Sequence, residues 1–590
     1  MRGEPQRPRL RVAFAVLIVL VLGWTAHPGS ARQSAAIASA HPLATAAGRT
    51  ILERGGNAFD AAIAVAAVLA VVEPYSSGLG GGGFFLLHRA ADALQVMVDA
   101  RETAPSGVTA AQYVDADGRP IRGASVRGGT AAAIPGLPAG LVHIAQRYGT
   151  LGLSVTLAPA VAVARDGYAV DARYARIAKL REAFLRSGVN TEIFLDRGEA
   201  PQPGFVLRQP ALAATLERIA RFGAAGFYEG PVARALVDTV NQAGGSWRHA
   251  DLAGYRVVER EPVRFRYRGA LVTAAALPSA GGIALAQSLG MLERFALERV
   301  GDPATDHLVV EALRRTFQDR ARHLADPDFV HVPVAQLISP QYVRQRSASI
   351  GPARATKNDA LEEAEAGRAE SPNTTHLSVV DGEGNRVAAT LTINLLFGSG
   401  LVPAGTGVLL NNEMDDFSLR PGVPNAFRLR GSFANRIEPG KRPLSSMTPT
   451  FVEDRKGVLV LGAPGGSRIV SQVLLAIIEY VRSIGHEVIT PLSVNETGPV
   501  LAEHERFASG EVDLARLVGM PRYHHQYSPD RVEIEPEGFS PEWHAAMAAK
   551  GHAIHTADRP WGNMQAVFKA KRDGVARAAS DPRGEGVAWY

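Results

Sequence analysis

Along this chain the spacing of apolar residues changes period several times, and each change marks an element. From 58 to 72 nearly every residue is Ala, Val, Ile or Leu, with Asn57 ahead of the run and Glu73-Pro74 behind it. A run that is apolar on every side has no solvent face. It predicts a central buried helix, capped by Asn57, carrying Asp60 in its first turn and stopped by Pro74. Gly78-Leu79-Gly80-Gly81-Gly82-Gly83 follows and feeds the apolar run Phe84-Phe85-Leu86-Leu87. The order helix, glycine loop, strand, with no Lys-Ser/Thr after the glycines, excludes a phosphate-binding loop and leaves a tight turn with close backbone packing.

Between about 131 and 346, helical patterns at 135–148, 211–221 and 283–297 alternate with loops rich in Gly and Pro, and no chemistry is legible there. Alternation returns at 377–380, turns through Asp381-Gly382-Glu383-Gly384-Asn385 and runs back over 386–393, which predicts a β-hairpin. With Glu383-Gly384 as the tip, Asp381 pairs with Arg386 and Thr375 falls opposite Thr392, so Thr392 and Asn394 lie alongside Thr374. A slip of one residue decides which threonine shares the face of Thr374. Strand patterns at 458–462 and 566–569 and a long apolar helix at 469–481 indicate sheets covered by helices, an α/β layered fold.

A length of 590 residues suggests two to four domains or one large multilayer sheet domain, and 46% hydrophobic content makes the chain globular. The net charge of +5 comes from basic residues interleaved with almost as many acids; without a basic stripe, nucleic acid is not an expected partner. At the N-terminus, Arg2, Arg7, Arg9 and Arg11 precede an apolar run over 12–24 and then Gly29-Ser30-Ala31. This is the pattern of a signal peptide over 1–31, with an uncleaved anchor as the alternative. The run is shorter than the roughly 20 residues a spanning helix needs, so the processed protein is expected to be soluble, with no stable membrane span. The absence of cysteine excludes disulfides, a thiol nucleophile and thiolate metal sites. No histidine spacing suits a metal, and neither metal nor cofactor is expected.

One junction stands out chemically. Residues from about 357 to 373 are crowded with Ala, Glu, Lys, Asp and Ser without an apolar period, which reads as an exposed linker that can be cut. A cut between Asn373 and Thr374 would give Thr374 a free α-amino group beside its hydroxyl. Such an amine, with a pKa of about 7.7–8.0, can serve as the base that a threonine nucleophile needs. Taken alone, a threonine at the start of a strand is ordinarily only a strand residue.

Several segments converge on one resemblance. Gly55-Gly56-Asn57-Ala58-Phe59-Asp60-Ala61-Ala62, the glycine loop, Asp99-Ala100-Arg101-Glu102-Thr103-Ala104-Pro105 and the stretch from Thr374 to Asp381 come first in order. Leu410-Asn411-Asn412-Glu413-Met414-Asp415-Asp416-Phe417, Lys441-Arg442-Pro443-Leu444-Ser445-Ser446-Met447 and Gly462-Ala463-Pro464-Gly465-Gly466-Ser467 follow, then Pro521-Arg522-Tyr523-His524-His525-Gln526 and Ala579-Ser580-Asp581-Pro582-Arg583. From about residue 35 onward the chain resembles the γ-glutamyltranspeptidase family. The resemblance implies an N-terminal nucleophile hydrolase, an αββα four-layer sandwich made as a precursor that cuts itself before Thr374. The products would be a large subunit (32–373) and a small catalytic subunit (374–590) held as a heterodimer, periplasmic or secreted.

It also implies roles. Thr374 is the nucleophile, Thr392 hydrogen-bonds it, and Gly465-Gly466 offer backbone N–H groups to the oxyanion. Arg101 clamps the α-carboxylate of a γ-glutamyl donor such as glutathione, with Ser445 and Ser446 as hydroxyl donors; Asn394, Glu413 and Asp416 receive its α-ammonium. The acyl group passes to water or to an amino acid or peptide acceptor. Pro421-Gly422-Val423-Pro424-Asn425-Ala426-Phe427-Arg428 resembles a lid in which Phe427 stands at the usual tyrosine position, so closure is expected to be weaker. A stretch over about 484–519 is longer than the family usually has. Two rivals remain at this level: an acylase for bulkier side chains such as glutaryl β-lactams, and a processed but catalytically silent binding protein.

Overall fold

The computed structural model describes residues 34–117, 119–358, 374–485 and 512–590. The segment read as a signal peptide, Asn373 with most of the linker, and 486–511 of the longer stretch lie outside the described residues. Among those described, two large antiparallel sheets dominate. The seven-stranded sheet runs from edge to edge as Val587–Trp589, Ala36–Ser39, Thr375–Val380, Arg386–Thr392, Gly82–Arg89, Leu94–Ala100 and Val258–Arg260. The six-stranded sheet runs Ala576–Ser580, Gln565–Ala570, Gly457–Gly462, Thr450–Glu453, Ala270–Ala274 and Val263–Tyr267.

Strand alternation sorts the core into layers. Ala36, Ala38, Phe84, Leu86, Met97 and Ala388 join a core shared with the six-stranded sheet. Their alternates Ile37, Phe85, Leu87, Val98, Val387 and Leu391 pack against helices on the opposite face. The six-stranded sheet meets its partner through contacts such as Thr273 Oγ1 donating to Gln95 Oε1 at 3.2 Å, and the Arg386 guanidinium 5.3 Å from the Phe451 ring. Helices Gly281–Leu292, Pro303–His323 and Arg468–Ser483 contribute to the same core. The result is the expected order of layers, helix, sheet, sheet, helix.

The helix Ala58–Val72 is buried at every position. Asn57 and Asp60 form a capping box, and the Asp381 carboxylate accepts from the Ala58 N–H at 2.9 Å, so the hairpin turn neutralises this helix's N-terminus. The patterns at 135–148 and 211–221 appear as Leu137–Arg147 and Pro210–Phe222. The pattern at 283–297 closes early, at Leu292, where Arg268 binds the Glu293 carboxylate through its N–H and the Phe295 carbonyl through its guanidinium. Those tertiary bonds draw the chain out of its helical path.

The hairpin register differs from the sequence reading by one residue. Arg386 pairs with Val380 and Leu391 with Thr375, not Asp381 with Arg386 and Thr375 with Thr392. Asp381 is drawn into the turn: its Oδ1 accepts from the Gly384 and Asn385 N–H groups, each at 2.9 Å, and Gly384 takes φ +95°. A three-residue loop with glycine in the left-handed region is therefore preferred over the two-residue tip. Extending the observed register by one step sets Thr392 directly opposite Thr374.

Candidate active site

Thr374 immediately precedes the strand Thr375–Val380 and is 7% exposed. The glycine loop presses on its neighbour: a Cβ at Gly81 would collide with the Thr392 carbonyl, and one at Gly82 with the Ala100 carbonyl. Local propensity alone reads these glycines as close packing, and here the packing fixes the strand beside Thr374. Thr375 points the other way, donating to the buried Glu73 at 2.7 Å, with Tyr75 donating to the same carboxylate at 3.1 Å. Burial pushes the Glu73 pKa up.

One pocket, enclosing about 320 Å³ of space that opens to solvent, is lined by Thr374, Thr392, Asn394, Arg101, Glu413, Asp416, Ser445, Ser446, Phe427 and Gly466. Gly465 does not line it but stands immediately before Gly466. Both glycines have positive φ, +134° and +59°, and lead into the helix Arg468–Ser483, whose N-terminal end therefore lies at the pocket. Backbone N–H groups and the positive end of a helix dipole suit an anionic oxygen there.

The floor of the pocket is a charge cluster. Arg101 is fully buried; it pairs with Glu413 and with Asp416 (2.5 Å), lies 3.4 Å from Glu102, and donates to the Pro443 carbonyl at 3.2 Å. Burial works against the Arg101 cation, but the three carboxylates outweigh it and raise its pKa. One guanidinium cannot neutralise three acids packed this closely: burial pushes Glu102 up to about 7 and also raises Glu413 and Asp416. Glu413 Oε2 is buried without a hydrogen-bond partner, leaving acceptor capacity in the pocket wall. The resemblance assigns Arg101 to the α-carboxylate of a zwitterion and Glu413 and Asp416 to its α-ammonium; the structure brings the three into direct contact.

Asn394 has φ +73° and donates to the Asn412 carbonyl at 2.9 Å, while its N–H donates to Thr392 Oγ1 at 2.8 Å. Ser445 Oγ accepts from the Met447 N–H at 3.1 Å. Phe427, expected from the resemblance as a lid residue, lines the pocket, and its carbonyl accepts from Gln526 Nε2 at 3.0 Å; Gln526 Oε1 in turn accepts from Ser467 Oγ at 2.6 Å. The segment around Phe427 is thus tied through its main chain, by way of Gln526, to the residue just before the helix Arg468–Ser483.

Sequence reasoning missed Arg320, Glu102, Glu73 and Gln526. Arg320 lines the pocket and donates to Ser446 Oγ at 3.3 Å, and its Nε is buried without a partner. Burial lowers its pKa to about 10. A usable signal lay in the helix Pro303–His323, where Glu311, Arg315, Asp319 and Arg320 recur at helical spacing among apolar residues and so fall on a buried side. Among the described residues no helix is long and apolar enough to cross a membrane.

This fold and the strand-leading threonine at the pocket define the class of N-terminal nucleophile hydrolases. A cephalosporin acylase from Bacillus halodurans superposes over all of this chain and 99% of its own with a TM-score of 0.78 at 24% identity, a likeness of fold. The family described as Gamma-glutamyltranspeptidase matches residues 44–590. The chain is 38% identical to the glutathione hydrolase proenzyme of Escherichia coli, over 94% of this chain and 91% of that one. It is 39% identical to the glutathione hydrolase proenzyme of Pseudomonas aeruginosa, over 91% of each. The chain belongs to the γ-glutamyltranspeptidase family, and it is an enzyme of the hydrolase and acyltransferase type.

Proposed function

We propose that the protein is an autoprocessed γ-glutamyltransferase and glutathione hydrolase. Thr374, freed by cleavage after Asn373, attacks the γ-carbonyl of the donor through its hydroxyl while its own α-amine takes the proton, and a γ-glutamyl ester forms as the leaving amine departs. Gly465 and Gly466 donate to the oxyanion, where one lost donor typically costs about 2.7–4 kcal/mol. Arg101, Ser445 and Ser446 take the α-carboxylate; Asn394, Glu413 and Asp416 take the α-ammonium. Water or an acceptor amine then releases the acyl group. The observation that carries this reading is the meeting of Thr374, a buried arginine, two carboxylates and Gly466 on one pocket in a chain of this family. A floor with two guanidiniums and several carboxylates suits a zwitterionic amino acid better than the bulky acyl groups of an acylase, and retention of the whole set disfavours a silent binding protein. Export by the segment 1–31 and division into 32–373 and 374–590 complete the proposal.

The test is Thr374→Ala beside Thr374→Ser, followed on a denaturing gel with N-terminal sequencing and by release from a γ-glutamyl anilide. The alanine variant is expected to stay a single chain without activity; the serine variant is expected to cut more slowly and keep some turnover. An alanine variant that still splits before residue 374 and turns over donor places the nucleophile elsewhere.

A further inference from the structure

Next to two pocket-lining residues the chain carries positive charge that the reaction above does not use. Phe427 and Ser467 line the pocket, and Arg428 and Arg468 follow them directly along the chain. Both reach the same carboxylate: Arg468 Nη2 lies 2.8 Å from Glu533 Oε2, and Arg428 Nη1 3.9 Å from Glu533 Oε1. Arg531 Nη2 also lies 2.8 Å from Glu533 Oε1. The adjacent Asp530 does not balance them, because its carboxylate is committed to Arg314 and His525. Three guanidiniums therefore share one acid. The Nε atoms of Arg428 and Arg531 are buried without hydrogen-bond partners, although each side chain keeps part of its surface, 19% and 25%, in solvent. Like-charge repulsion has consequences in the same place: burial, then Arg531 and Arg468, lower the Arg428 pKa, while the guanidiniums overcome burial to hold Glu533 at about 2. Arg428 also has φ +61°, a left-handed conformation that is strained for any residue with a Cβ and is favoured by glycine. Strain and repulsion concentrated in residues adjoining the pocket lining point to a functional constraint.

We propose that Arg428, Arg468 and Arg531, arranged around Glu533, form an anion subsite that receives the carboxylate of the leaving peptide and of the acceptor peptide. The proposal rests on the γ-glutamyl reading and adds a specificity to it. A γ-glutamyl peptide whose leaving part is a dipeptide ends in a carboxylate about 7 Å beyond the scissile amide, since an extended residue spans about 3.3–3.6 Å. Guanidinium is the matching partner for such a group, and its planar fork bonds both oxygens. The pocket floor fixes the donor's own carboxylate; this subsite selects what departs and what arrives.

The experiment compares kcat/KM at low salt for a γ-glutamyl 4-nitroanilide and for the same anilide bearing a ring carboxylate, in the wild type, Arg531→Gln and Arg531→Lys. Arg531→Gln is expected to lower the value for the carboxylated anilide about three- to tenfold, in line with loss of one partly exposed charge contact, and to leave the neutral anilide within about twofold. Arg531→Lys keeps the charge and is expected to retain most of the preference. Arg428→Gly, which relieves the φ strain, is expected to reduce the same ratio. Transfer to glycylglycine but not to glycylglycine amide is expected to fall in parallel, which separates the acceptor role from the leaving-group role. An equal fall on both anilides makes Arg531 structural and overturns the subsite, as does an unchanged ratio. If the wild type releases neither anilide, the γ-glutamyl reading itself fails first.

Discussion

Arg101 is the residue on which the proposed donor recognition turns. It is buried against three carboxylates, and its planar fork cannot be replaced by the point charge of lysine. Arg101→Lys is expected to raise the donor KM by about ten- to a hundredfold, the weight of one or two charge-assisted hydrogen bonds, while self-cleavage proceeds; steady-state kinetics on a γ-glutamyl anilide beside a gel check both halves. Its neighbour Glu102 has a pH signature. The folded-state pKa of about 7 lies above the ordinary 4.5, so the folded protein binds the extra proton. Stability from this group is present below pH 4.5 and is lost as pH rises towards 7, by up to about 3 kcal/mol. Glu102→Gln is expected to flatten that loss, seen as a smaller drop in Tm between pH 4.5 and 7 than the wild type shows. Parallel curves for the two proteins would mean that Glu102 is ionised throughout.

At the scale of elements, the proposed lid is the piece with a free variable. Its main chain is held by Gln526, but Phe427 presents only a ring to the pocket that Asn394 also lines. Phe427→Tyr adds a hydroxyl within the same pocket, and one net hydrogen bond of about 0.5–1.5 kcal/mol is expected to shift product modestly from hydrolysis towards transfer without altering the fold. Identical product ratios would show that ring burial alone sets closure. The hairpin teaches a related lesson about legibility. Its existence follows from alternation and turn residues, but its register depended on whether Asp381 stays in the strand or folds back onto Gly384 and Asn385. The carboxylate is also needed at Ala58, far away in sequence, and that second use favours the turn position.

For the whole molecule, function depends on two sheets packed closely enough to hold the strand after Thr374 against its neighbours. His376 lies in that interface with its Nδ1 at 2.8 Å from Thr390 Oγ1, and burial lowers its pKa to about 3, so it stays neutral. Gly462 of the facing sheet sits against the His376 ring, with no room for a Cβ. Gly462→Ala is expected to cost about 1–3 kcal/mol by overpacking this seam, read as a lower midpoint in chemical denaturation. A midpoint equal to that of the wild type would show that the seam can open at no cost.

What the chain determined by itself is local: the capping box of Asn57 and Asp60, the glycine loop, the hairpin and the layered alternation of strands, because each arises from dihedral preference, short-range hydrogen bonding or period. The motifs that resemble the family also name Thr374, Arg101, Glu413 and Asp416, but they say nothing of contact. Only the tertiary structure set Arg101 against both acids, 312 and 315 residues away along the chain, and brought Arg320 to Ser446 across 126. Only it gathered Arg428, Arg468 and Arg531 on one carboxylate. Charges scattered along a sequence look solvated until packing removes the water, and which of them lose it is decided by the burial of surfaces that no local pattern contains.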